Sequence, residues 1–168
     1  MESTIDRSML GGLLHRDTDG TIKATHTGQQ FLADLVAHHG DVLTERWNPA
    51  VVERLNPLLA KVLTAAAGTG GGAWAVQSPP HEPAGEPLAV VLLDRLSTMR
   101  YHRADAHAAA WLDAGWTVAD VAAMPWGTTW SEERRQIERV TNRPAASPYN
   151  ALTGDERLSL LADLAAIG

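Results

Sequence analysis

The chain has 168 residues, of which 45% are hydrophobic and 20% charged, and this is the composition of a globular protein that can bury a core. Its net charge of −6 argues against a strongly basic nucleic-acid surface, and the lack of cysteine excludes disulfides and thiolate metal sites. No apolar run is long enough to cross a bilayer and no signal-peptide pattern is present, so we expect a cytoplasmic protein with no membrane partner.

The N-terminal residues predict a helix followed by a small β-hairpin. Apolar side chains recur on one side of the segment 4–15, which favours a helix there. The dipeptide Asp19-Gly20 is a turn signal between two short segments that can pair with each other. We therefore expect the hairpin to have its tip at this dipeptide.

Two further helices are predicted between the hairpin and the middle of the chain. Thr25 can accept the first N–H groups of a helix, and Gly40 is expected to end that helix. Asn48 followed by Pro49 is typical of a cap and a first helical position. Leucine and valine residues at steps of three and four then predict a helix over 49–67.

The segment 68–86 is rich in glycine and proline and predicts a connecting loop. Its run GTGGGA, residues 68–73, has the glycine content of a phosphate-binding loop but lacks the lysine and the helix start that such loops need. Trp74 and Val76 are unusual in a plain linker, and we expect them to dock onto another part of the protein.

The second half of the chain predicts helices. Nothing interrupts a helix from Leu88 to about Asp113. Shorter helices are predicted over 117–124, 131–142 and 153–167. Pro144 and Pro148 predict an extended connection before the last of them. The predicted fold class is mainly α, a helical domain with a small β-hairpin near the N-terminus. We expect one compact domain with three parts, a truncated winged-helix-like segment plus helix (1–67), the loop (68–86) and a helical ligand-binding region (87–168).

The segment LGGLLHRDTDGTIKATHTGQQFLADL resembles the recognition helix, wing and following helix of MarR-like winged-helix regulators, over residues about 5–35. Residues 87–168, with the pattern IE..TN..A..PY.AL, are similar to actinobacterial helical proteins of helix-turn-helix type without settled activity. The resemblance implies winged-helix descent and DNA as a partner, contacted by Arg7, Arg16 and Lys23. The candidate recognition helix nevertheless has no cluster of arginine or lysine to hold phosphates.

A ligand site is predicted on the long helix. Arg103, His107 and Trp111 recur every four residues and so share one stripe. Cations beside an aromatic face suit a planar or anionic ligand. Trp126 and Trp130 lie in a bent loop that can fold over the end of this helix. We expect these five residues to bind the ligand; the alternative is a solvated helix edge with the tryptophans in the core.

The leading hypothesis for function is a small-molecule-binding protein of winged-helix descent, either a transcriptional regulator or a regulator-derived sensor or sequestering protein. Its partner would be a small aromatic or anionic molecule. One alternative is an enzyme of specialised metabolism that uses His107 or Asp105 as acid and base; another is a dimeric interaction module. We expect no metal, because the seven histidines lack a convergent spacing, and no cofactor, because the sequence has no Walker or Rossmann glycine pattern. An incomplete winged helix leaves apolar Met9, Leu10 and Leu13 partly uncovered unless another segment packs on them. We therefore expect a homodimer, with the first helix or the long helix at the interface.

Overall fold

The computed structural model describes residues 4–124 and 131–167. The elements, in chain order, are α1 (Thr4–Leu10), β1 (Leu14–Arg16), β2 (Ile22–Ala24), α2 (His26–Arg46), α3 (Pro49–Ala66), α4 (Gly72–Gln77), α5 (Leu88–Asp113), α6 (Val118–Ala122), α7 (Glu132–Ala146), a 3₁₀ helix (Ser147–Ala151) and α8 (Gly154–Ile167). The predicted mainly α fold with a small hairpin near the N-terminus is confirmed. Within the described ranges, every helix is too short or too polar to cross a membrane. The chain forms two compact units, Met1–Arg46 and Trp47–Gly168, each with most of its residue contacts within itself.

The hairpin of the first unit forms where the sequence predicts it. Its two strands are antiparallel, with His15 opposite Lys23. Gly20 has a φ of 88°, in the left-handed region that glycine adopts without a steric penalty. The helix predicted over 4–15 is shorter than expected and ends at Leu10. Gly12 has a φ of 71°, which turns the chain out of the helix and into β1.

Thr25 joins the hairpin to α2. Its hydroxyl donates to the Gly12 carbonyl at 2.6 Å and accepts from the Gly28 N–H at 3.0 Å, so it caps the helix as predicted. A Cβ atom at Gly28 would lie 2.1 Å from the Leu13 carbonyl oxygen. Only glycine therefore allows the first turn of α2 to lie against the end of the hairpin.

The expected end of α2 at Gly40 is wrong, because the helix continues to Arg46. A glycine inside a helix costs only about 1 kcal/mol, which the helix formers on either side can offset. The apolar side chains of α2 are exposed by 38% to 53%: Phe31, Leu32, Leu35 and Val36. Among the described residues of the first unit, only Gly28 and Gly40 are buried. This unit therefore has an apolar helix face and no core of its own.

The core of the second unit forms between α3 and α5. The Asn48 side chain accepts from the Ala50 N–H at 3.0 Å, and Pro49 occupies the first turn of α3, as the sequence predicts. The apolar positions spaced by three and four residues on α3 are buried, together with one leucine of α5. The largest of these side chains are Leu55, Leu59, Val62 and Leu92. The predicted start and end of the long helix α5 are confirmed to within a residue.

The segment 68–86, predicted as a loop, contains the short helix α4. Its first N–H groups are capped by Asp105 of α5 rather than by a residue next to them in the chain. Trp74 is buried, so it docks as predicted, whereas Val76 is 84% exposed. The sequence signal for this helix is weak because its cap comes from another element.

Helix α7 passes through Pro144 and leads directly into the 3₁₀ helix, so the predicted extended connection is wrong. Only two residues of α7 follow Pro144, which confines the effect of its missing N–H to the last turn. Pro148 lies in the first turn of the 3₁₀ helix, where no N–H is needed. Ile137 and Thr141 are buried where α7 packs on α5.

Helix α8 begins with the predicted capping box. The Thr153 hydroxyl accepts from the Glu156 N–H at 3.2 Å, and the Glu156 carboxylate accepts from the Thr153 N–H at 2.9 Å. Two ion pairs attach α8 to α3. Arg54 binds both oxygens of Asp163, at 3.0 and 2.6 Å, and Lys61 pairs with Glu156. They fix α8 on the side of α3.

Candidate functional site

The predicted stripe of Arg103, His107 and Trp111 lies on the part of α5 that contacts α7. Trp111 is only 5% exposed and packs with Ala110 and with Ile137 of α7. The Arg103 side chain, two turns earlier, is 46% exposed. The helical spacing therefore places the three residues on one face, as predicted, but at different depths.

A chain of hydrogen bonds connects Trp111 to α7. The Trp111 Nε1–H donates to His107 Nε2 at 2.8 Å, and His107 Nδ1 lies 3.1 Å from Thr141 Oγ1. The Thr141 hydroxyl donates to the Ile137 carbonyl at 2.8 Å. An indole N–H can only donate, so His107 Nε2 has no proton and Nδ1 has one. His107 is therefore neutral in this network, and both of its nitrogens are engaged.

The surroundings of His107 favour this neutral form. Burial lowers the pKa of His107 most strongly. The Glu138 carboxylate, whose Oε1 is 3.8 Å from His107 Nε2, raises the pKa in part, and the Arg103 and Arg134 charges lower it. The net pKa is below the ordinary value for histidine. At neutral pH the ring can therefore keep its bond from Trp111.

Arg103 is held by an ion pair with α7. Its Nη2 lies 2.6 Å from Glu138 Oε2, and the Glu138 side chain is only 15% exposed. Glu138 thus contacts Arg103 directly and lies close to His107. A ligand that binds Arg103 must share the guanidinium with this carboxylate.

A cavity of about 370 Å³ lies beside Trp111, between α5 and α6. We call it the tryptophan pocket. It is lined by Ala104, His107, Ala108, Trp111, Leu112, Trp116, Thr117, Val118, Val121 and Ala122. All of these except His107 and Thr117 are apolar. The Trp111 and Trp116 rings meet edge to face, with centroids 5.0 Å apart. Its volume is within the range of small-molecule sites.

The segment that follows α5 lines one side of the tryptophan pocket, and three sets of hydrogen bonds hold it in place. The Trp116 backbone N–H donates to the Trp111 carbonyl at 3.1 Å. The Trp116 indole N–H donates to Glu133 of α7 at 2.9 Å. Thr117 and Asp120 form the capping box that the sequence predicts for α6. These contacts hold the valines of α6 in the wall of the cavity that the alanines of α5 also line.

Of the predicted ligand residues, His107 and Trp111 line the tryptophan pocket and Arg103 does not. Trp126 and Trp130 lie outside the residues that the structure describes. Sequence reasoning missed the contribution of Ala108, Trp116 and the α6 valines as lining residues. A signal for Ala108 was present, because a small residue three positions before Trp111 leaves space beside the indole.

Asp105, an acid/base residue of the enzyme alternative, has a structural role. Its carboxylate accepts from the backbone N–H groups of Gly71, Ala73 and Trp74, at 2.9, 2.8 and 2.8 Å. Burial raises the pKa of Asp105, but these three bonds together lower it below its ordinary value. A Cβ atom at Gly71 would lie 2.9 Å from the Asp105 Cγ. The glycine run therefore surrounds an anion, and that anion is the Asp105 carboxylate.

His102 is buried beside α4 and does not line the tryptophan pocket. Its Nε2 lies 2.9 Å from Thr69 Oγ1, and its ring meets the Trp74 ring edge to face. Burial lowers the pKa of His102, with a smaller opposing effect from Asp105. In the ranges 4–124 and 131–167, no three histidine or acidic residues lie close enough together to hold a metal ion.

The residues predicted to contact DNA lie in the first unit, and each one has an intramolecular partner. Lys23 Nζ is 2.6 Å from Asp17 Oδ2. Arg16 donates to the Gly20 carbonyl at 3.0 Å, and Arg7 Nη2 lies 3.5 Å from Thr4 Oγ1. All three side chains belong to exposed residues. DNA contact through them stays a prediction.

No family model, no curated protein and no solved structure matches this chain.

Proposed function

We propose that the protein binds a small, planar, mostly apolar molecule in the tryptophan pocket, and that it acts as a sensor or sequestering protein of winged-helix descent. The observation that supports this proposal is the apolar cavity of about 370 Å³ beside Trp111 and Trp116. Its two indole rings offer aromatic edges and faces to a flat ligand.

Burial of exposed apolar surface supplies the driving force for such binding. Leu112 and Val118 line the tryptophan pocket and are 58% and 78% exposed. A ligand that covers these side chains removes apolar area from water, which stabilises the complex by about 25 cal/mol for each Å². The polar groups of the pocket, on His107 and Thr117, already have partners in the protein. A ligand with few polar groups therefore fits this pocket best.

Tryptophan fluorescence tests the proposal, with 2-naphthol as the neutral planar probe. Ala108→Phe fills the tryptophan pocket without removing a hydrogen bond, and Ala109→Phe adds the same ring at an exposed position of α5 outside the pocket. We expect saturable quenching in the wild type and in Ala109→Phe, and its loss in Ala108→Phe. Unsaturable quenching of the wild type, or equal binding by the two variants, contradicts the proposal.

A role as a transcriptional regulator further requires DNA binding by the first unit. The assay is a gel shift on DNA from upstream of the gene at two salt concentrations, since phosphate contacts weaken steeply with salt. Salt-sensitive binding that falls in Lys23→Gln supports the regulator. Ligand binding without any gel shift supports the sensor or sequestering protein instead.

A further inference from the structure

A second cavity, of about 440 Å³, lies between α5 and the end of α7 with the 3₁₀ helix. We call it the arginine pocket. Its apolar floor includes Leu96 and Met99 of α5, with two alanines of α7. Its polar residues are Arg100, Arg103, Asn142 and Tyr149. It differs from the tryptophan pocket because cationic and hydrogen-bonding groups surround its apolar surface.

Three of these polar groups are unused by the protein. In the part of the chain that the structure describes, the Arg100 guanidinium, the Asn142 amide and the Tyr149 hydroxyl make no side-chain hydrogen bond or ion pair. Burial raises the pKa of Tyr149, so its hydroxyl keeps its proton at neutral pH and can donate. A half-buried phenol beside an amide and a guanidinium therefore offers three kinds of donor to an acceptor.

The charges of the arginine pocket favour a single negative charge. Arg103 is neutralised by Glu138, at 2.6 Å, whereas Arg100 has no acidic partner among the described residues. A guanidinium binds a carboxylate through two parallel N–H···O bonds. A second negative charge near Arg103 would be repelled by the Glu138 carboxylate that pairs with it, which disfavours a polyanion.

We propose that the arginine pocket binds a small organic monocarboxylate with an apolar body. The carboxylate is held by Arg100 with donors from Asn142 and Tyr149, and the apolar body covers Leu96 and Met99. This site is separate from the tryptophan pocket and goes beyond the proposed function, which concerns a neutral planar molecule.

Calorimetry tests the proposal with 2-naphthoate and 2-naphthamide, which share the ring system but differ in charge. Both are measured in the wild type and in Ala108→Phe, whose filled tryptophan pocket leaves the arginine pocket as the site for the ring. Arg100→Gln removes the unpaired guanidinium, and Tyr149→Phe removes only a hydroxyl. Arg143→Gln is the matched control, because Arg143 is an exposed arginine of α7 that does not line the pocket. We expect 2-naphthoate to bind more tightly than 2-naphthamide. Arg100→Gln should weaken naphthoate binding by about tenfold or more and Tyr149→Phe by several-fold, since bonds to charged groups are the strong ones.

Four results would overturn the proposal. These are absence of saturable naphthoate binding, equal binding of acid and amide, equal weakening by Arg100→Gln and Arg143→Gln, and loss of naphthoate binding in Ala108→Phe. The last would place the acid in the tryptophan pocket instead. Melting temperatures of all variants show that they are folded, and Tyr149→Phe provides an independent measurement if Arg100→Gln fails to fold.

Discussion

Replacing Asp105 by alanine removes the acceptor of three backbone N–H groups at the start of α4. A hydrogen bond to a charged group contributes about 1.5–3 kcal/mol, and loss of a helix cap alone costs about 0.5–2 kcal/mol. The Gly71 N–H can bond to water once the carboxylate is gone, because that bond is exposed, whereas those of Ala73 and Trp74 are part-buried. We expect the free energy of unfolding to fall by about 2–4 kcal/mol.

Chemical denaturation of Asp105→Ala and of the control Asp113→Ala measures this loss. Asp113 is exposed at the last position of α5, so its variant should stay within about 0.5 kcal/mol of the wild type. Hydrogen exchange gives a local readout: the Ala73 and Trp74 amides should lose their protection in Asp105→Ala only. A loss below about 1 kcal/mol, with both amides still protected, would refute the reasoning and show that packing of Trp74 alone holds α4.

The stabilisation that the Asp105 carboxylate provides should decrease at acidic pH. Folding lowers the pKa of Asp105, so the folded protein favours the carboxylate. Its stabilisation is fully present above the ordinary carboxyl pKa of about 3.9 and is lost as the pH falls through the lower pKa of the folded state. The difference between wild type and Asp105→Ala should therefore be constant from about pH 5 to pH 8 and shrink below about pH 4. A difference that stays constant down to about pH 2 contradicts the assigned role.

Three further predictions follow from the core and the first unit. Trp111→Ala should lower the free energy of unfolding by about 3–5 kcal/mol because the indole is buried. Arg103→Ala should lower it by less than about 1 kcal/mol because the ion pair of Arg103 is partly exposed. Equal losses of the two variants in chemical denaturation would contradict this. Because folding lowers the pKa of His107, the neutral ring stabilises the protein fully above about pH 6.5, and this stabilisation falls as the pH drops through the folded pKa. His107→Gln should therefore reduce the dependence of the unfolding free energy on pH between pH 7 and pH 5. An unchanged pH dependence would count against this role. Sedimentation at micromolar concentration should give a homodimer that Leu32→Glu dissociates through the exposed face of α2, and a monomeric wild type would reject this expectation.

Local signals in the sequence predict most of the helix and strand positions. The Asp19-Gly20 turn, the Asn48-Pro49 start and the Thr153–Glu156 capping box each depend on neighbours in the chain, and each is found where expected. The predictions that are wrong depend either on contacts between distant parts of the chain or on a helix penalty too small to end the helix. Helix α4 is capped from α5, and Gly40 lies inside a helix at a cost of only about 1 kcal/mol.

The candidate site was predictable only in its α5 half. Spacing within one helix correctly placed Arg103, His107 and Trp111 on one face. Their partners on α7, Thr141 for the histidine and Glu138 for the arginine, depend on how two helices pack, which residue spacing does not encode. For the same reason Asp105 resembled a catalytic acid in the sequence, although the fold uses it as a helix cap.

Glu138 lies close to one lining residue of each cavity, Arg103 of the arginine pocket and His107 of the tryptophan pocket. The Arg103 charge lowers the pKa of His107, and the Glu138 carboxylate, 3.8 Å from the imidazole Nε2, raises it. An anion that draws Arg103 away from Glu138 would therefore raise the pKa of His107. Protonated Nε2 can no longer accept the Trp111 indole N–H, so the wall of the tryptophan pocket would lose its hydrogen bond. Reciprocity of coupled equilibria then requires that acidification strengthens anion binding at Arg103 by the same factor by which the anion favours protonation of His107.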